Sequence, residues 1–219
     1  MVNIQKPQKI LFEINNIEKI EKLDKKASEK DGNFTNKLIE HQNLEELELY
    51  DTDFKVVKFD KCNILNSKLE KVSFMDAIFD NCNFSNSSFQ GSSFVRCEFI
   101  NCKLSGCDFT ESIQNNVVFT ETNASYSNFS LSRLQNVVFE NTVLRNSYFQ
   151  EDTFKNVYFE KADLVQTQIF KTSLKDIDLS NSFIDGIVVS MEDIKGAIIN
   201  EYQAINLINL LGVKIKEQN

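Results

Sequence analysis

The residues of this sequence with the greatest chemical potential are five cysteines and a single histidine. Cys62, Cys82 and Cys102 follow one another at intervals of twenty residues. If each interval moves the chain by one strand spacing, about 4.8 Å, neighbouring Cα atoms lie within disulfide range, and a metal site is also conceivable. Because no histidine accompanies the thiols and His41 lies outside their series, we predict reduced, packed cysteines with no metal or cofactor.

No catalytic signature accompanies these residues. The sequence contains no nucleophile elbow, phosphate-binding loop or metal-binding motif. Asp108 and Glu111 occupy positions that we expect to face water, and His41 has no partners for catalysis or ligation. We therefore predict that the protein is not an enzyme.

The composition and charge limit the cellular location and the kinds of partner that we expect for this protein. The 219 residues suffice for one sizeable domain, and the net charge of −8 disfavours direct binding to nucleic acid or anionic lipid. The segment from Met1 to Lys30 is too polar for a signal peptide, and no apolar run approaches the length of a membrane span. We predict a cytoplasmic protein that contacts neither membrane nor nucleic acid directly.

The elements that position all these side chains follow from a repeat of five residues. Large apolar residues recur at every fifth position from Leu44 to Ile199, and only Gln114 and Ala124 depart. The residues two positions earlier are small and include all five cysteines, so both positions face one interior. We interpret the polar Gln114 as a strand irregularity near Ile113. Asparagine or glycine two positions after the apolar residue predicts a corner with positive φ. The asparagines at this position are Asn66, Asn81, Asn86, Asn101, Asn116, Asn136, Asn141, Asn146, Asn156 and Asn181.

Four of these segments form one coil. The segments that end in Phe119, Phe139 and Phe159 begin with Asn-Val and recur every twenty residues. If such coils stack about 4.8 Å apart, residues of the same type lie directly above one another. The sequence therefore predicts a rod with a phenylalanine interior. The predicted core column consists of Phe59, Phe79, Phe99, Phe119, Phe139 and Phe159.

An apolar stripe precedes this column on the outside of the rod. Other columns carry mainly polar residues at the same position. Exposed apolar stripes can mark a contact with a partner. β-branched residues also favour strands wherever they lie, so both interpretations stay open. The partner-contact stripe predicted in this way consists of Ile78, Val118, Val138 and Tyr158, and Ile198 continues it.

The repeat resembles that of the pentapeptide-repeat family. The matching motif is a small residue, a polar residue and then Phe or Leu, as in Cys82–Phe84 and Ala162–Leu164. The resemblance covers Leu44 to Ile199 and implies an all-β fold, a right-handed quadrilateral β-helix. We expect an N-terminal cap or arm over residues 1–33, the β-helix over 34–199 and a C-terminal cap over 200–219.

Both flanks carry predicted helices. Apolar spacing predicts a short amphipathic helix between Pro7 and Asp31. A second helix is predicted from Glu201 to Leu211, followed by a short strand from Val213 to Lys216. One helix face should cap the rod, and Ile205 and Leu210 should lie outside it. The predicted capping residues are Ala204, Leu207, Ile208 and Leu211.

This C-terminal ending resembles that of gyrase-interacting members of the family, in which a helix and a strand build a homodimer. The resemblance therefore implies a homodimer through the same segment. The interface it implies comprises Ala204, Ile205, Leu207, Ile208, Leu210, Leu211, Val213 and Ile215.

The resemblance also implies a class of function. Qnr-type members act as DNA mimics that bind DNA gyrase or topoisomerase and confer quinolone resistance. Those members carry loops that interrupt the coil, and this register has none. From Leu49 to Ile199 there are 20 acidic and 14 basic residues, which is a low net charge beside duplex DNA, with one charge per roughly 1.7 Å. The alternatives are an interaction scaffold with an unassigned cytoplasmic partner and an immunity factor against a gyrase-targeting toxin.

Overall fold

The computed structural model describes residues 18–19 and 32–212. Over these residues the chain forms a parallel β-solenoid of about eight turns with a small C-terminal helix, which confirms the predicted fold. Two parts of the predicted flanks, most of the N-terminal helix and the strand from Val213 to Lys216, lie outside the described residues. Glu18–Lys19 forms a two-residue strand parallel to the first long strand, where the sequence had predicted helix.

The long strands all span eight residues, and short strands lie between them. Two helices and one 3₁₀ turn follow the last strand. The strands are β1 (Glu18–Lys19), β2 (Asn33–Glu40), β3 (Asn43–Glu45), β4 (Glu48–Tyr50), β5 (Asp53–Asp60), β6 (Asn63–Leu65), β7 (Lys68–Glu70), β8 (Ser73–Asp80), β9 (Ser93–Ile100), β10 (Ile113–Thr120), β11 (Arg133–Glu140), β12 (Tyr148–Gln150), β13 (Thr153–Glu160), β14 (Gln168–Phe170) and β15 (Val188–Val189). The helices are α1 (Met191–Ile194) and α2 (Glu201–Leu207), and the 3₁₀ turn is Ile208–Leu211.

Each eight-residue strand bends around one corner of the rod and so contributes to two sides. In β10, Asn115 and Val117 pair with the next turn, whereas Asn116 between them has a φ of 57° and is left out of the ladder. We name the four sides by their central residues in one turn: side one by Phe94, side two by Phe99, side three by Leu104 and side four by Phe109. Equivalent residues on neighbouring turns are twenty apart.

The interior of the rod consists of stacked phenylalanine rings. On side two the predicted core column is continuous, and successive ring centroids from Phe59 to Phe159 lie 4.4 to 5.3 Å apart. On side four, Phe89, Phe109, Phe129 and Phe149 stack in the same way. Such offset stacks bury large apolar surface without leaving a polar group to satisfy. The largest fully buried side chains of the described residues are all phenylalanines.

With one exception, the asparagines two positions after the central residues form the corners that the sequence predicts. Nine of the ten asparagines predicted to have positive φ do so, and Asn181 does not. The turn at Asn181 still closes, because the Ser182 N–H donates to the Leu179 carbonyl at 2.9 Å. The Ser180 carbonyl, however, accepts from Asn200 Nδ2 at 2.7 Å, and this peptide is the one whose flip separates type I from type II turns. The side chain that caps α2 therefore accounts for the changed corner.

Candidate interaction surfaces

The thiols lie inside the rod and do not form a reactive or metal-binding group. All five cysteines are free and buried, and Cys107 Sγ donates to the Phe84 carbonyl at 3.0 Å. Burial raises the pKa of Cys97 and of Cys107 to about 12, which keeps both thiols protonated at neutral pH. Among the described residues, no group of three or more His, Cys, Asp or Glu side chains is placed to hold a metal ion.

The described residues include no helix long and apolar enough to cross a membrane.

The predicted irregularity near Ile113 is wrong. Gln114 pairs in register with Phe94 below and Leu134 above, so the ladder passes through it without a bulge. Its side chain lies inside the rod, where Nε2 donates to Ser112 Oγ at 3.3 Å and Oε1 has no hydrogen-bond partner. Backbone pairing with two regular neighbours therefore outweighs the cost of one unsatisfied amide oxygen.

Side two carries the predicted stripe, whose four residues are half-buried, whereas Ile198, which continues the stripe, is 51% exposed. Ile78, Val118, Val138 and Tyr158 occupy one outward column, in which Lys58 and Glu98 also lie. The outward column on the other edge of side two contains four carboxylates, those of Asp60, Asp80, Glu140 and Glu160. Lys58 forms salt bridges with two of these carboxylates, with its Nζ 3.1 Å from Asp60 Oδ1 and 2.8 Å from Asp80 Oδ2. Side two is thus a mixed surface of charged and partly covered apolar groups.

Side four carries a more exposed apolar surface, which the sequence analysis missed. From Asn128 to Ser190 its outward positions hold no charged residue. Tyr148 and Val188 share one outward column of this sheet through Gln168, and Phe170 lies on the other edge. Their exposed fractions are 43, 44 and 38%. The side-four patch consists of these three residues and two corner residues, Tyr126 and Leu131, which are 64 and 49% exposed.

Reading the sequence in steps of twenty on this side would have found its uncharged face, although not the two corner residues of the patch. The outward residues at the first position are Asn128, Tyr148, Gln168 and Val188, and those at the second are Ser130, Gln150, Phe170 and Ser190. The signal is the loss of charge, because large apolar residues occupy only three of these eight positions.

The C-terminal helix caps the rod in a different way from the one predicted. Gln203 is the buried residue of α2, and its Nε2 donates to the carbonyls of Leu179 at 2.8 Å and Ser182 at 2.7 Å. Ala204, predicted to face the rod, is exposed, and Leu210, predicted to lie outside the capping face, packs against the core. A polar side chain caps the rod here because it can donate to carbonyl groups at the end of the rod, and the Leu179 carbonyl accepts from Gln203 as well as from the Ser182 N–H.

The other residues of the implied dimer interface divide by exposure. Ile205 is exposed, Leu207 and Ile208 are half-buried, and Leu207 packs on the core. Val213 and Ile215 lie outside the described residues, and nothing is described for the side chain of Leu211. A groove of about 260 Å³ lies beside α2, and its lining includes the exposed rings of Phe183 and Tyr202.

Comparison with known proteins supports the assignment of the fold. A family model described as "Pentapeptide repeat region" matches residues 92–169. A solved structure of trypsin-treated QnrB1, described as a plasmid-mediated fluoroquinolone resistance protein, is 23% identical, with a TM-score of 0.54, and the match covers 85% of this chain and 94% of that chain. HetL, a pentapeptide repeat protein from the cyanobacterium Nostoc sp. strain PCC 7120, is 14% identical over 74% of this chain and 91% of its own, with a TM-score of 0.47. No curated protein sequence matches.

Proposed function

We propose that this chain, a pentapeptide-repeat protein, acts as a non-enzymatic scaffold that binds another protein through its side-four patch. The observation that carries the proposal is the group of five large apolar side chains, 38 to 64% exposed, on a side whose outward positions hold no charge over four turns. The one charged pair beside them, Glu151 with Lys171, lies at the corner that also holds Leu131. Covering such a surface releases water from apolar groups and desolvates no charge at the outward positions of side four. The described interior is filled with side chains, in keeping with binding at the surface as the mode of action.

The chemistry of the patch indicates the chemistry of the partner. Tyrosine and phenylalanine are enriched in the buried centres of protein interfaces, whereas Lys, Glu and Asp are depleted there. The chain as a whole has a net charge of −8, so acidic partner surfaces are repelled elsewhere on the rod. We therefore expect a partner that presents an uncharged apolar surface, in the same cellular compartment as this chain, which we propose to be the cytoplasm.

The experiment compares two double variants in a pull-down from an extract of the source cells. Tyr148→Ser with Phe170→Ser removes two rings from side four, and Val138→Ser with Tyr158→Ser is the matched change on side two. We expect one protein to be retained by the wild type and by the side-two variant and to be lost from the side-four variant. Equal retention by both variants, with both folded, would reject side four as the binding surface.

A second candidate function is binding of DNA gyrase or topoisomerase as a DNA mimic. The acidic column of side two favours it, and so does the structural likeness to QnrB1, a fluoroquinolone resistance protein. Two features count against it, since Lys58 pairs with Asp60 and Asp80 and the register contains no loops. The test is gyrase supercoiling with and without a quinolone. Protection or inhibition at excess protein supports this function, and an unchanged reaction excludes it.

We also propose a homodimer through α2 and the residues after it. Ile205, which is exposed on α2, would be buried by such a pairing. Ile205→Glu should then convert a dimer into a monomer in light scattering at micromolar concentration, and Glu192→Ala, a change of an exposed residue outside α2, is the control. A wild-type protein that is already monomeric at this concentration would refute the dimer.

A further inference from the structure

The inner wall of the rod is held by one hydrogen bond that recurs in nearly every turn. A hydroxyl or thiol at the small inward position donates to the backbone carbonyl of the residue 23 positions earlier. Among the described residues there are twelve such bonds. The donors are Cys62, Ser87, Ser92, Cys97, Cys102, Cys107, Thr122, Ser127, Ser132, Thr142, Thr167 and Ser182.

Asp152 occupies the same inward position and is only 8% exposed. Its Oδ1 accepts from the Ser132 N–H at 2.7 Å, as the hydroxyl of Ser132 itself accepts from the Ser112 N–H at 3.0 Å. Its Oδ2 is buried and has no hydrogen-bond partner. The residue 23 positions before Asp152 is Phe129, so an inward donor at position 152 should reach the Phe129 carbonyl.

We propose that Asp152 carries a proton at neutral pH, donates it from Oδ2 to the Phe129 carbonyl, and forms a pH-sensitive joint in the rod. A neutral carboxyl group supplies both the acceptor and the donor that a serine supplies elsewhere, whereas an ionised one has no hydrogen to donate. Loss of the proton leaves a buried charge facing a carbonyl oxygen. The joint between the turn of Ser132 and the turn of Asp152 is then weakened at alkaline pH.

The groups around Asp152 do not offset a negative charge there. Ser132 lies below it and Thr172 above it, and Thr172 Oγ1 accepts from the Asp152 N–H at 3.0 Å. At the adjacent corner Lys171 Nζ is paired with Glu151 Oε1 at 2.7 Å. On the next turn below, Arg133 pairs in the ladder with Thr153 and is exposed to water.

The electrostatics agree with this geometry. Burial raises the pKa of the Asp152 carboxyl to about 8, although the hydrogen bond from the Ser132 N–H lowers it in part. In the unfolded chain the pKa of an aspartate is about 3.9. The folded state therefore binds more protons between these two values, and its stability falls as the pH rises from about 4 to about 8.

The joint lies at one edge of the side-four patch. The Leu131 N–H donates to the Gln150 carbonyl at 2.7 Å, one residue from Glu151 and two from Asp152. Proton loss should therefore loosen the corner that holds Leu131. This last consequence rests on the proposed function, whereas the protonation of Asp152 does not.

The test is an infrared titration together with thermal unfolding from pH 5 to pH 9. Wild-type protein should show the C=O band of a protonated carboxylic acid at pH 7, and this band should be absent in Asp152→Asn. The control Asp178→Asn should retain the band, because hydrogen bonds from Ser180 lower the pKa of the exposed Asp178. Absence of the band from wild-type protein at pH 7 would overturn the proposal.

Thermal unfolding provides the second readout. The melting temperature of the wild type should fall relative to that of Asp152→Asn as the pH rises from 5 to 9, because asparagine keeps a donor and an acceptor and does not titrate. Asp152→Ser, which restores the hydroxyl found elsewhere in the column, should behave like Asp152→Asn. Identical pH profiles for the wild type and whichever of these variants folds would contradict the proposal.

Discussion

Sides two and four are built alike on the inside and differ on the outside. Phe99 on side two and Phe109 on side four are both fully buried, and each lies between two stacked rings. Outside, side two combines carboxylates with half-buried apolar residues, whereas side four from Asn128 to Ser190 is uncharged and more exposed. The repeat therefore determines the interior and the backbone of every side, while the outward residues are free to set what each side binds.

The largest expected effect tests the equality of the two interiors. Phe99→Ala and Phe109→Ala should each lower the free energy of unfolding by about 3–5 kcal/mol, because each removes a buried ring and leaves a cavity between two others. Urea denaturation of both variants measures the two losses. Values that differ by more than the expected loss itself would show that the two sides are not equivalent inside.

A smaller effect is expected where the interior rule is broken on side one. Gln114→Leu removes the buried Oε1 that has no partner and should raise the free energy of unfolding by about 1–3 kcal/mol. Leu134→Gln on the next turn is the matched reverse change and should lower it. Destabilisation by Gln114→Leu in the same urea assay would mean that the amide makes a contact that the leucine cannot replace.

The smallest effect concerns the charges outside. Lys58→Ala on side two should lower the free energy of unfolding by at most about 1 kcal/mol, because Lys58 is partly exposed and water screens its pairs with Asp60 and Asp80. Lys68→Ala on side four removes the more exposed pair with Glu48 and should have no measurable effect. The difference for Lys58→Ala should disappear in high salt. A loss for Lys58→Ala that persists in high salt would assign side two a structural role for its charges.

The sequence predicts the fold well because the repeat expresses local geometry directly. Spacing by five places Phe99 and Cys97 on one side of the chain, and the asparagine corners agree with it independently. Gln114 and Asn181 differ from their predictions because of residues one turn away. Regular ladder partners keep the strand straight through Gln114, and the side chain of Asn200 accounts for the corner at Asn181. The periodicity of α2 favours Ala204 over Gln203 because an apolar pattern does not reveal which carbonyls at the end of the rod accept from a side chain.

The interaction surface is harder to predict than the fold. The outward column of Ile78, Val118, Val138 and Tyr158 is conspicuous in sequence, but its side chains are half-buried. The side-four patch combines two outward columns with two corners, and only the folded rod brings Tyr126, Leu131 and Phe170 to one side of the molecule. A column read along the sequence records one edge of a side, whereas a binding surface spans both edges.

The most direct test of binding through side four places a photo-crosslinking amino acid at one position at a time in the source cells. Tyr148 on side four and Tyr158 on side two are the matched positions, since both are tyrosines at the same outward phase and ten residues apart. Illumination should join the protein to one partner from position 148 and not from position 158. Crosslinking from position 158 alone, or equally from both positions, would contradict the assignment of the binding surface to side four.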